Sequence, residues 1–392
     1  MSWEAPPPRR ARRRRWTLPA ALVIATAVGV AGIMALTRDG EPSSLTIGPT
    51  DPPADAIADT TVDTADFAQR RLPPVDVTSE RPGTGPLLPG AGADLTLIAA
   101  DGRGLQLVDL ATGEVRRIEI VGPSPATLSD TVFTVDDWII VDAEAEVIGL
   151  PPATPRPTRV AANHRAITTI DDDSIWVMDT FSSFASGTAT RIGLDGTVQD
   201  RVGLAAVAEP LIGTADRLII AAPGVIVSVG SDGRRRLIAR GTALATDGER
   251  LSWLECTDDI SCAITIGTLD DPAQVRRTLD PALLPAGYFG LFGLPLGRFS
   301  PDGRWLALPL YGSRSGRPEG VAVTVIDTST GAEVFRADGS SVTSFATPLA
   351  WTPDSRWLLF VSGNTIRAWP AGEPRARRLD VGLRAVRALA VR

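Results

Sequence analysis

Two stretches of the chain, "GRFSPDGRWLAL" (residues 297–308) and "LAWTPDSRWLLF" (residues 349–360), align without a gap at a distance of 52 residues. This repetition limits the fold more than any other feature. Phe299 falls over Trp351, Asp302 over Asp354, Arg304 over Arg356 and Trp305 over Trp357. Weaker copies lie upstream in "TADRLIIA" with Arg217 and "DGERLSWL" with Arg250; "DDWIIVDA" and "DDSIWVMD" keep the acidic turn and lose the Arg. In each copy a turn residue precedes a run of strand-forming residues. The starts fall near residues 95, 138, 174, 217, 250, 304 and 356, a mean step of roughly 43. A four-stranded propeller blade occupies about 40 to 45 residues.

A second turn signal follows each start. "VDLATGEV" places Asp109 four residues before Gly113, and "VIDTSTGAEV" places Asp327 four before Gly331; "GLDGTV", "GSDGRR" and "PAGEPR" hold the equivalent place elsewhere. Gly supplies the positive φ of a tight reversal, and Asp can bond the turn backbone. Each unit is therefore strand, turn, strand, turn, which means an all-β barrel, sandwich or propeller. Of these, the repeat length selects a seven-bladed β-propeller of four-stranded blades over residues 94–392. Its first unit, from Leu95, lacks an inner strand, and the chain ends in an apolar-alternating strand, "RAVRALAVR" (384–392), with no blade of its own. The C-terminal strand is expected to complete blade one and close the ring, removing the exposed sheet edges; the alternative is a frayed eighth half-blade.

With those residues in view, "FSPDGRWLAL" and "WTPDSRWLLF" resemble the repeat of TolB-type propellers within the wider WD-repeat-like group, where an aromatic-S/T-P-D-G/S turn joins the inner strand to the next. The resemblance covers two blades closely and five in outline. It implies a propeller and implies no particular activity. The chain contains no lysine, and with its Ala-, Gly- and Pro-heavy vocabulary it resembles the product of a GC-rich bacterial genome such as an actinobacterium's.

Six arginines and one acid in the first 36 residues give that segment +5, so the formal −7 of the chain leaves −12 for the rest. An acidic body argues against nucleic acid as a ligand. Residues 17–36, "TLPAALVIATAVGVAGIMAL", carry no charge and are long enough to cross a hydrocarbon core of about 30 Å. They read as a transmembrane helix behind a basic cytoplasmic tail, residues 1–16, placed on anionic lipid headgroups; a cleaved signal peptide is the alternative. The following residues 37–93 are rich in Pro, Thr, Asp and Gly without sustained periodicity. They read as a disordered, extended linker that holds the propeller off the membrane on the extracytoplasmic side.

Chemistry is sparse in this sequence. The single histidine, His164, provides neither a metal cluster nor a nucleophile–base pair and is assigned to the surface or to packing. Asp136 with Asp137, Asp171 to Asp173, and Asp258 with Asp259 sit at expected turns without calcium-loop spacing. No metal, cofactor or catalytic residue is assigned. Cys256 and Cys262 flank "TDDIS" on adjacent strands of an expected hairpin and read as a structural disulfide. Trp138, Trp176, Trp253, Trp305 and Trp357 recur near one strand of successive blades, as packing between sheets requires; an aromatic sugar-binding platform is the secondary reading. Asp302 and Asp354, with Trp305 and Trp357, are read as turn and packing residues. The functional expectation is a non-catalytic, membrane-anchored module whose loops, including the insert at residues 309–320, bind a protein or an envelope polymer. The alternative is a propeller enzyme of lactonase or cyclotransferase type with its site at the channel mouth.

Overall fold

The computed structural model describes residues 67, 69–72, 77–90 and 94–392, with breaks at 102–103, 121–127, 144–145, 153–155, 172, 180–186, 205–207, 223, 257–261, 271–276, 280–296, 315–316, 341–348, 363–364 and 384–385. Backbone contacts divide the chain into Met1–Val62 and Asp63–Arg392, and every described residue belongs to the second unit. The basic tail, residues 17–36 and the linker through residue 66 lie outside the described residues. Among those described, no helix is long and apolar enough to cross a membrane.

Seven sheets follow one another along the chain, antiparallel except where Thr169–Ile170 pairs in parallel with the first strand of blade four. Each is built on four antiparallel strands, in sequence order in six of them, and a short fifth strand is added at one edge of three; the first strands of neighbouring sheets meet around a common axis, as Ala245 does with Gly297 in a parallel bridge. This is a seven-bladed β-propeller. The second strands begin at Thr96, Trp138, Ser174, Arg217, Arg250, Trp305 and Trp357, where the repeat register puts them. Blade one is closed by the C-terminal strand Val386–Val391, which pairs antiparallel with Thr96–Asp101; Thr96 N donates to Arg392 O at 2.9 Å and Arg392 N to Thr96 O at 3.1 Å.

Because successive strands run in opposite directions, the connections sort onto two faces. The turn face carries the links from first to second and from third to fourth strand. Here Gly113, Gly196, Gly233, Gly303, Gly331 and Gly372 all take positive φ, and the turn Asp side chains bond the backbone: Asp109 Oδ1 accepts from Ala111 N and Thr112 N at 2.8 and 2.9 Å. The crossover face carries the hairpins between second and third strands and the links between blades.

The cores lie between blades. The seam of blades six and seven seats Trp369 against Trp305, Phe335 and Trp351, with ring centroids 5.8, 5.1 and 6.1 Å apart. The seam of blades three and four buries Trp176 beside Met178, Val202 and Leu218. Trp253 is enclosed between blades four and five, and Trp357 between seven and one.

One boundary differs from the sequence reading. The stretch read as linker through residue 93 contributes two strands, Arg70–Arg71 on the outer edge of blade two and Val77–Arg81 on the outer edge of blade one. Beyond them Leu88 is buried in the seam of blades seven and one, and Leu87 N donates to Leu110 O. The physical reason is that these strands hold almost wholly exposed side chains yet satisfy the backbone groups of an open sheet edge. Weighing side-chain burial alone cannot detect them. We call the described residues 67, 69–72 and 77–90 the strap.

Candidate functional site at the crossover face

The duplicated segments make the same turn twice. In blade six Ser300 Oγ donates to Asp302 Oδ1 at 2.5 Å and accepts from Trp305 N at 2.9 Å, while Arg304 N donates to Asp302 Oδ1 at 3.1 Å. In blade seven Thr352, Asp354, Trp357 and Arg356 repeat these bonds at 2.5, 3.0 and 3.1 Å. Burial on its own would raise the Asp302 carboxyl. Hydrogen bonds from Ser300, Arg304 and Ser355, with the Arg304 charge, outweigh it and hold Asp302 below the usual carboxylate range. Asp302 and Asp354 therefore serve their own turns, with Trp305 and Trp357 sealed behind them at 5% and 4% exposure. Sequence reasoning passed over Ser300 and Thr352, both fully buried at the centre of each knot; the signal was a hydroxyl before Pro-Asp in both copies.

The repeated arginines reach sideways. Arg217 bonds Asp270 of blade five at 2.6 Å, Arg250 lies against Gly303 of blade six, and Arg356 donates to Gly90 O of the strap at 2.9 Å. Asp302 N donates to Ser355 Oγ of blade seven at 2.9 Å. The turn face is thus bound to itself, blade to blade.

His164 is buried rather than exposed, with Nδ1 2.5 Å from Ala162 O, Nε2 3.2 Å from Asp179 Oδ1, and the strap's Phe67 ring 4.8 Å away. Asp171 accepts from Ser174 Oγ and, at 2.6 Å, from Arg191 Nη2. Asp136 holds a positive φ of 49° in its turn, and Asp258 and Asp259 lie outside the described residues. Among the described residues no three His, Cys, Asp or Glu side chains gather as a metal site.

The crossover face is uneven. Single residues, Asn163 and Gly241, link blades two to three and four to five, whereas residues 280–297 link five to six. The second and third strands of blade six, Trp305–Arg314 and Arg317–Asp327, run 10 and 11 residues, against 5 to 7 in the other blades. The insert at 309–320 is therefore paired as a continued hairpin, with Arg314 opposite Arg317. Next to it, Cys256 and Cys262 stand directly opposite each other in the hairpin of blade five and form a disulfide. Closing so short a loop stabilises by about 2 kcal/mol.

Charged residues stand at the start of several inner strands at this same end: Arg165, the second residue in blade three, Glu209 in blade four and Arg298 in blade six. Burial pushes Glu209 up, with Arg165 opposing it. Arg298 enters no ion pair with any described residue, and burial lowers its guanidinium from the usual arginine range to about 10. For a base, a folded value below the unfolded one is a stability penalty present at neutral pH and relieved only as pH climbs through about 10 toward the ordinary arginine range. Arg298 nonetheless keeps some solvent contact. Arg298→Met is expected to raise the thermal midpoint of the full chain by about 2 to 5 °C; a lower midpoint in calorimetry would show that the charge is compensated.

No protein-family model matches the sequence, and no curated protein matches it. Solved structures resemble it at low identity. A functionally unknown protein from Desulfotomaculum acetoxidans DSM 771 is 12% identical over 76% of this chain and 98% of its own, with a TM-score of 0.49. Hydrazine synthase of Kuenenia stuttgartiensis is 12% identical over 64% and 80%, with 0.44. The dihydro-heme d1 dehydrogenase NirN, in complex with DHE, is 14% identical over 77% and 68%, with 0.45. The propeller assignment rests on the seven sheets and the closing strand.

Proposed function

We infer that this chain is a non-catalytic interaction module, membrane-anchored by residues 17–36 and extracytoplasmic, that binds a protein or an envelope polymer on the crossover face around blade six. The observation that carries the reading is the contrast between faces. The turn face repeats one self-satisfied, Asp-bonded reversal from blade to blade. On the crossover face the lengthened hairpin, the longest link and the disulfide-closed hairpin gather on blades five and six. Variable segments on a rigid scaffold are where binding resides. Arg298 supports an anionic feature on the partner, since a guanidinium with no ion pair among the described residues gains most from a carboxylate or phosphate.

The test is site-directed photo-crosslinking in cells with the reactive residue placed either in the 309–320 hairpin or at Asp195 and Asp232 of the turn face. A discrete product from the hairpin, lost when residues 311–319 are replaced by a short turn, is the expected result. Products confined to the turn-face positions, or a hairpin product indifferent to that replacement, would refute it.

A further inference from the structure

Trp138 opens its strand in blade two as Trp305 and Trp357 open theirs in blades six and seven. The latter two are sealed into the seam with the next blade, and a guanidinium lies over each ring, Arg304 at 4.4 Å and Arg377 at 4.7 Å. Trp138 has the same register, and no guanidinium of the described residues covers it. Its ring rests beside Gly149, where an added β-carbon would come within 2.8 Å of Cε3. Trp138 also lines a cleft of about 670 Å³ on the turn face, where blade two adjoins blade three. That volume lies within the range of small-molecule sites.

Three chain segments complete the walls. The strap supplies Gln69 and Arg71, the link before the outer strand of blade two supplies Arg156, and the turn of blade three supplies Leu194 and Asp195. Pairing of Arg71 with Thr158 places the strap's guanidinium-bearing residue two positions from Arg156 in the ladder, and Gln69 Nε2 donates to Leu194 O, tying the strap to blade three. Neither Arg71 nor Arg156 enters an ion pair among the described residues. The one carboxylate is already engaged, since Asp195 Oδ1 accepts from Thr197 N at 2.8 Å, and that hydrogen bond lowers its pKa. The lining therefore presents two guanidinium groups and an indole to whatever occupies it.

We propose that this cleft binds a small anion built on a ring, its carboxylate or phosphate oxygens held by Arg71 and Arg156 and its ring laid on Trp138. Guanidinium forks match both oxyanions, and an indole surface takes an aromatic or sugar ring. In blades six and seven the protein's own arginine occupies the position over the indole; in blade two the ligand's ring does so. The strap contributes one of the two arginines, so binding also stabilises strap docking by linkage. The site lies on the face opposite the crossover loops and stands or falls independently of them.

The experiment is calorimetric titration of the full chain with phenyl phosphate, glucose 6-phosphate, benzoate and inorganic phosphate. At least one ring-bearing anion is expected to bind about tenfold or more tightly than inorganic phosphate, and Arg71→Gln and Arg156→Gln are each expected to weaken it by about tenfold or more. Both side chains are exposed, so thermal midpoints of the variants stay with the parent's. Hydrogen exchange of residues 69–72 and 77–81 slows in the presence of the bound probe. Phenyl phosphate against benzoate decides between the two oxyanions. No saturation by any ring-bearing probe up to about 10 mM, equal affinity for inorganic phosphate, or both variants binding like the parent overturns the proposal.

Discussion

Removal of residues 384–392 abolishes the cooperative unfolding transition of the propeller or lowers its midpoint by more than about 10 °C. The strand it takes away, Val386–Val391, is the inner strand of blade one and contributes the paired positions Leu97↔Val391, Ile98↔Ala390, Ala99↔Leu389, Ala100↔Ala388 and Asp101↔Val386. Two cores lose cover together, because Leu389 belongs to the seam of blades seven and one while Ala388 and Ala390 belong to that of one and two. Ile98 and Leu97, both fully buried, become accessible at the axis. Each large apolar side chain exposed this way forfeits about 1.5 to 3 kcal/mol. Several such losses, with an unpaired edge, approach the whole stability of about 5 to 15 kcal/mol of an ordinary domain. Circular dichroism melts of the parent and truncated full chains decide the matter, and superimposable curves would mean that the ring is held closed by something else.

The same closing strand shows how far the sequence could be read. It was legible because its apolar alternation stands beside a first blade that visibly lacks an inner strand, so two local deficits point to one pairing. The starts of all seven second strands were legible too, since turn chemistry and strand propensity agree there. The strap was not. "VTSER" buries no side chain beyond partial cover of Arg81, so nothing in its polarity distinguishes a strand on an outer edge from a solvated chain. Its order comes from backbone groups of Val115–Glu119, a pairing distant in sequence with no side-chain signature. Phe67 was the one available hint, an isolated aromatic in a polar stretch, and it is buried against His164. At the candidate sites, the paired cysteines and the long insert could be read from composition and length. Arg298 and the Arg71–Arg156 cleft could not, because both depend on which blades adjoin in space.

Gly213→Ala is expected to destabilise the propeller by about 2 kcal/mol or more, and to do so only while Trp176 is present. Trp176 is fully buried between blades three and four, its Nε1 donating to Thr214 O at 2.9 Å. A β-carbon built on Gly213 would collide with Trp176 Cδ1 and lie 2.7 Å from Cγ, atoms next to the backbone end of the ring that cannot swing aside as a flexible tip would. The glycine is needed because the indole lies directly on the neighbouring blade's first strand; its φ is not in the left-handed region, so sterics alone carry the effect. Trp176→Ala by itself costs about 3 to 5 kcal/mol from lost burial and the resulting cavity. In that background the methyl introduced by Gly213→Ala meets a void, and its addition is neutral or slightly favourable. Urea unfolding of the parent, both single variants and the double variant gives the coupling. A double variant clearly less destabilised than the sum of the singles, by about 1 to 3 kcal/mol, fits a seam in which one blade's tryptophan is accommodated by the next blade's missing side chain. Additive losses would show instead that the seam relaxes around either change, so that contact between Trp176 and Gly213 does not set how blades three and four dock.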